Sequence, residues 1–210
     1  MKSTEARKHQ LELDIEAGLQ VIEHALNTFR DGSCRELFPL SERVIEPTFS
    51  FISCIFDNVF DYAVKGYTSA ADCISLDDLH DMNAFLHIAS PAMEFYEGDR
   101  LTECEKVFSA MIARAKIDLA NGGYNYAFTE NENPFILGYK EDLLTLSEVA
   151  LLANMNEKSV RNATHQTKDD RLETVKVGGR TYVTPEDGFR WLRKRRGFTP
   201  TVTLEEGASS

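Results

Sequence analysis

Lys158, Ser159, Arg161, Asn162 and His165 lie close together in the chain, and their side chains suit one kind of chemistry. Arginine and lysine donate to guanine, asparagine pairs bidentately with adenine, and serine contacts either a base edge or phosphate. Lys176 and Arg180 flank the pair Gly178-Gly179 and have the reach for phosphate or the minor groove. Arg193 belongs to a basic run with Arg190, Lys194, Arg195 and Arg196, which suits contact with a nucleic-acid backbone. A solvated helix face would account for part of this pattern with no ligand at all. A second group, Asp77, Asp78, His80, Asp81 and His87, has the residue types of metal ligands. A di-iron helical bundle would need Glu-x-x-His on two helices, and no second copy of such a motif occurs. Acidic residues at a helix start, with histidines on a half-buried face, explain this group more simply. No phosphate-cradling glycine loop, nucleophile elbow or metalloprotease motif is found. The expectation is therefore no catalytic residue, no metal and no cofactor.

The basic residues need elements to hold them, and the stretch 144–198 supplies the signals. Thr145 with Glu148 three residues on is a capping box opening a helix, and Val149, Leu151 and Leu152 give it an apolar face. Asn154 tolerates the left-handed conformation that ends a helix, and Asn156 is a good cap for the next one. The connection is short, with Met155 pointing inward, and the two helices form a helix-turn-helix unit. In the second helix Val160 and Ala163 face inward, which turns Glu157, Lys158, Ser159, Arg161, Asn162 and His165 outward. Val175 and Val177 alternate with polar residues, Gly178-Gly179 makes a two-residue primed turn, and Tyr182 lies on the returning strand. Thr184 caps a further helix with Pro185 at its first position, and Trp191 and Leu192 anchor that helix to the core.

In this order the motifs resemble the winged-helix DNA-binding domains of the excisionase and MerR type. The matching pieces are Leu144-Thr145-Leu146-Ser147-Glu148-Val149-Ala150, Ser159-Val160, Val177-Gly178-Gly179-Arg180 and Trp191-Leu192. The resemblance implies a winged helix-turn-helix whose second helix reads double-stranded DNA. It covers about 55 of the 210 residues. Between Val160 and the wing, the chain is longer than the family pattern through Thr164–Asp170, and it lacks the glycine before the first wing strand. The Arg and Tyr that follow the second helix in MerR proteins are also missing. The effector-driven promoter untwisting of that family is therefore not carried over.

The rest of the chain reads as helical. Leu11, Ile15, Leu19, Ile22, Leu26 and Phe29 recur at three-four spacing, so a first helix is expected from Thr4 to about Arg30. A second, from Ser41 to Val64, is apolar on more than one face. A third begins near Ser75 and is interrupted by Pro91. A fourth opens at Thr102, capped with Glu105, and ends at Gly122-Gly123. Composition is that of a globular chain, 42% hydrophobic and 27% charged, with no apolar run long enough to cross a membrane. Cys34, Cys54, Cys73 and Cys104 are widely spaced and read as reduced, partly buried thiols. The net charge of -11 argues against nucleic acid until its distribution is considered. Residues 156–200 carry 11 basic against 6 acidic residues, and binding to phosphate depends on local basic density.

The expected fold is thus mainly α: an acidic, bundle-like helical domain over 1–123, a linker over 124–142, a winged helix-turn-helix over 143–198 and a disordered tail over 199–210. The expected role is a cytoplasmic, sequence-specific DNA-binding protein, transcription regulation being implied by the family it resembles. The N-terminal domain would form a homodimer or bind a protein partner. An excisionase-like architectural factor is the alternative within that class. An interaction adaptor whose winged helix does not bind DNA is the alternative outside it.

Overall fold

The computed structural model describes residues 3–28, 42–122, 143–166 and 168–201. Over these the chain is mainly helical, with a small three-stranded antiparallel sheet. The helices are α1 (Thr4–Thr28), α2 (Glu42–Phe60), a π-helical turn (Asp61–Lys65), α3 (Thr68–Ala71), α4 (Leu76–Tyr96), α5 (Thr102–Ala120), α6 (Leu146–Leu152), α7 (Glu157–Ala163) and α8 (Pro185–Leu192). The strands are β1 (Leu144–Thr145), β2 (Val175–Val177) and β3 (Arg180–Val183). Among the described residues no helix is long and apolar enough to cross a membrane. The chain divides into two compact units, one of Lys2–Asp57 with Leu76–Glu105, the other of Asn58–Ser75 with Lys106–Ser210. The linker expected at 124–142 lies outside the described residues.

In the first, helical unit, α1 packs against α4. The stripe that α1 buries is Leu11, Asp14, Ile15, Gly18 and Val21, not the full apolar series the spacing suggested; Leu26 is exposed. Gly18 lies within that stripe. A Cβ there would lie 2.5 Å from the Phe85 ring, so the missing side chain lets α4 approach on that face. Asp14 is buried for a different purpose. Its carboxylate accepts from the Glu103 amide at 2.7 Å, capping α5. The cap expected from Thr102 with Glu105 is thus replaced by a carboxylate from another helix. Arg7 donates to Glu103 at 2.6 Å in the same buried cluster. The expected interruption at Pro91 does not occur, since α4 runs through it to Tyr96. Proline costs one helical hydrogen bond, and Ala89 and Met93, buried on either side, hold the helix across the gap.

The second unit is mixed. Its helical part includes the π-helical turn, which ends on Gly66 at φ +76°. The Ala63 carbonyl in that turn accepts from the buried Arg114 Nε at 3.0 Å. Lys116 of α5 bonds the Leu143 carbonyl at 3.1 Å and the Glu148 carboxylate at 2.8 Å, tying α5 to the start of α6. The sheet order is β1-β3-β2, with Leu144 opposite Val183 and Val175 opposite Tyr182. The periodicity suggested only the hairpin. β1 adds two residues to its free edge, too few to leave an alternating pattern. The core gathers Leu144, Val149, Val160, Val183, Trp191 and Leu192, all nearly inaccessible. Thr201, expected within a disordered tail, is seated. Its hydroxyl bonds the Asp118 carboxylate at 2.9 Å and accepts from Arg114 Nη1 at 2.9 Å. Residues beyond Thr201 lie outside the described residues.

Candidate functional site

The turn signals of the mixed unit act locally, as their residue types require. Thr145 and Glu148 form the reciprocal capping box, with the Glu148 amide 3.1 Å from the Thr145 hydroxyl and the Thr145 amide 2.6 Å from the Glu148 carboxylate. Asn154 is the one non-glycine residue at positive φ among those described, at 48°. It ends the α6 turn, and Asn156 then caps α7 by accepting from the Lys158 amide at 2.8 Å. Met155, expected to point inward, is half-buried. Val160 is fully buried and fixes the rotation of α7. Consequently Lys158, Ser159, Arg161, Asn162 and His165 are all exposed.

Gly178 and Gly179 both have positive φ, as a primed hairpin turn requires. The turn carries Lys176 and Arg180, both exposed, on its two strands. Val175 and Val177 are also exposed, at 38% and 40%, because β2 is an edge strand reaching past the core. Thr184 caps α8 through the Asp187 amide at 3.3 Å, and Trp191 and Leu192 are buried as their types suggested.

Not all the basic residues are uncommitted. Arg161 is ion-paired to Glu157 on its own helix at 2.7 Å. Lys194 reaches Asp170 at 2.9 Å, and Arg195 bonds the same carboxylate while lying 3.9 Å over the Trp191 ring. The hydrogen bond from Lys194, with the charge of Arg195, holds the Asp170 carboxyl below its usual value of 3.8. Asp170 also offers its backbone carbonyl to the Trp191 indole at 3.2 Å. The extra length between α7 and β2 therefore has a structural use: it brings Asp170 to the end of α8 and seats Leu172 in the core. Lys158, Lys176, Arg180, Arg193 and Arg196 make no ion pair among the described residues.

One cleft, of about 390 Å³, brings two of the expected residues together. Arg161 lines it from α7, beside Glu157 and Thr164, and Arg180 lines it from β3, beside Thr181 and Tyr182. The start of α6 closes it with Thr145, Leu146 and Ser147. Lys158, Ser159, Asn162, His165, Lys176 and Arg193 are not among its lining residues. Ser147, Thr164, Thr181 and Tyr182 are not among the contact residues expected from the sequence. The pairing of β1 with β3, which sets Thr145 opposite Tyr182, is what assembles them with Arg180. The arrangement offers two guanidinium groups and several hydroxyls to an anionic ligand, with one carboxylate among them.

The other group of candidate ligands stays dispersed. Asp77, His80, Asp81 and His87 are exposed and Asp78 is half-buried on α4, and no three His, Cys, Asp or Glu residues among those described are arranged to hold a metal ion. Cys54 and Cys73 are exposed where partial burial was expected, while Cys104 is buried, and desolvation pushes its thiol well above the usual range. Comparison with protein-family models, with curated proteins and with solved structures finds no match for this chain.

Proposed function

We propose that residues 143–198 form a winged helix-turn-helix and that the chain binds double-stranded DNA sequence-specifically as a cytoplasmic transcription regulator. In this reading α7 enters the major groove, presenting Lys158, Ser159, Arg161, Asn162 and His165, and the β2–β3 hairpin is the wing. Lys176 and Arg180 on the wing, with Arg193 after α8, contact the backbone. The observation that carries the reading is the cleft in which Arg161 of α7 and Arg180 of the hairpin meet. Two elements separated in sequence converge their cations on one open surface.

The helical unit is the proposed dimeriser. A single small winged helix reads few base pairs, and a pair on two half-sites gains both affinity and specificity. Ile88 and Phe95 of α4 are 57% and 80% exposed, which supports a self-associating face. Sedimentation of the full chain checks this point, and a monomer at every concentration would remove the dimer.

Fluorescence anisotropy of the full chain on mixed-sequence duplex DNA, across a salt series, tests the main reading. Binding that weakens steeply with salt is the expected result. Absence of binding at about 50 mM salt would overturn it, since nonspecific affinity is strongest there. A DNA-architectural factor would bend the duplex it binds. The adaptor reading gains one specific observation, that Arg161, Lys194 and Arg195 are each already paired with a carboxylate.

A further inference from the structure

Glu157 is the one carboxylate among the residues lining the cleft. Any phosphate approaching Arg161 or Arg180 meets that negative charge, which lowers affinity for a polyanion whatever its sequence. Its partner is Arg161, one helical turn on, with Oε1 2.7 Å from a guanidinium nitrogen. A glutamate four residues before a cation is the favourable orientation on a helix. Both side chains remain partly exposed, Glu157 at 43% and Arg161 at 66%, so the pair adds little to stability. Its consequence lies in what Arg161 is left able to do. A guanidinium has donors on more than one edge, and tethering one edge leaves another to meet the O6 and N7 of guanine. An untethered arginine is free to turn to the nearest phosphate, which carries no sequence information.

We propose that Glu157 is a specificity-determining residue, which holds Arg161 for base reading and at the same time weakens backbone binding. This rests on the DNA-reading proposal above. The structure of the site thus implies a trade in opposite directions: Glu157 costs affinity for any duplex and adds discrimination for a site containing a G·C pair under Arg161.

The test uses the full chain. A preferred site is selected from random duplexes with the wild type, and Glu157→Ala, Glu157→Gln, Arg161→Ala and the double variant Glu157→Ala with Arg161→Ala are then compared on three probes. These are the selected duplex, the same duplex with 7-deazaguanine at the guanine whose preference Arg161→Ala abolishes, and an unrelated duplex. Glu157→Ala should bind the unrelated duplex on the order of fivefold more tightly, because a repelling charge is gone. Its preference for guanine over 7-deazaguanine should fall by about tenfold, the scale of a bidentate arginine contact. Glu157→Gln, which removes the charge and keeps an acceptor, should show the full gain in affinity and a smaller loss of preference. In the Arg161→Ala background, Glu157→Ala should no longer change that preference. Equal weakening on every probe, or an unchanged preference, would overturn the proposal, since a merely structural residue would move all probes together. If Arg161→Ala abolishes preference at no guanine, the proposal also fails. If the wild type binds no duplex at low salt, the DNA-reading proposal fails and this one with it; wild-type binding with an unmoved preference sinks Glu157 alone.

Discussion

The side chains of the candidate surface differ in how far they are already committed, and mutation should expose the difference. Arg161→Ala is expected to relax sequence preference and cost about 1–3 kcal/mol of binding, measured on a selected duplex against a scrambled one. Lys176 is exposed, has no ion pair among the described residues, and sits by the hairpin turn. Lys176→Ala should weaken all sequences alike and flatten the slope of log affinity against log salt by about one unit. Asp170 works the other way, since it occupies Lys194 and Arg195. Asp170→Asn should release those two cations and tighten nonspecific binding. It should also cost stability, under about 1 kcal/mol for a pair this exposed. The folded-state pKa of Asp170 lies below 3.8, so its stabilising contribution is present above 3.8 and is lost as pH falls through the depressed value. The difference in Tm between Asp170→Asn and wild type should therefore be largest near neutral pH and shrink below 3.8. Which residues face outward was legible from the phase of Val160. Which of them are paired was not, because Asp170 lies 24 and 25 residues from its partners.

Elements are held together by close approaches that a residue list does not announce. Gly197 has a position where a Cβ would lie 2.2 Å from the Ala153 carbonyl oxygen, backbone that cannot swing aside as a side chain does. Gly197→Ala should destabilise the mixed unit by about 1–3 kcal/mol, as overpacking does elsewhere. A matching fall in Tm, with the helical content of the folded chain unchanged, would check it. At Gly188 a Cβ would lie 2.7 Å from the Leu144 side chain, so its absence lets α8 close on β1. Sequence spacing located α1, α4 and α5 to within a few residues but misjudged two of their details. The buried stripe of α1 is centred on a glycine and an aspartate, residues that an apolar pattern passes over. Pro91, expected to interrupt a helix, lies within α4, whose buried residues on either side carry it straight through.

For the molecule as a whole, the informative feature is which segments cohere. The mixed unit contains the proposed winged helix-turn-helix together with Asn58–Ser75 and Lys106–Ala120 of the helical stretch. The polar cluster of Tyr62, Arg114, Asp118 and Thr201 joins these parts within the unit: Tyr62 donates to Asp118 at 2.8 Å, and Thr201 bridges Asp118 and Arg114. Burial raises the pKa of the Asp118 carboxyl and lowers that of the Arg114 guanidinium, so both groups depend on their partners. Thr201→Val removes a hydroxyl shared by two largely buried charges. It should cost about 1–3 kcal/mol and lower Tm by several degrees. An unchanged Tm would show that water replaces the hydroxyl at no cost. Residues 143–198 alone lack α5, the π-helical turn and Thr201, so binding experiments need the full chain.

The sequence by itself determined whatever depends on neighbours a few residues apart. The capping box of Thr145 and Glu148, the left-handed Asn154, the Asn156 and Thr184 caps and the Gly178-Gly179 turn were all readable, because each is a contact between near neighbours along one backbone. The tertiary structure decided which charges are spent and where the compact units divide. Arg7 and Glu103 stand 96 residues apart, Arg114 and Thr201 stand 87 apart, and Lys116 and Glu148 stand 32 apart. A salt bridge or hydrogen bond over such separations leaves no periodic trace, since its partners are chosen by the path of the folded chain and the low dielectric of the space it encloses.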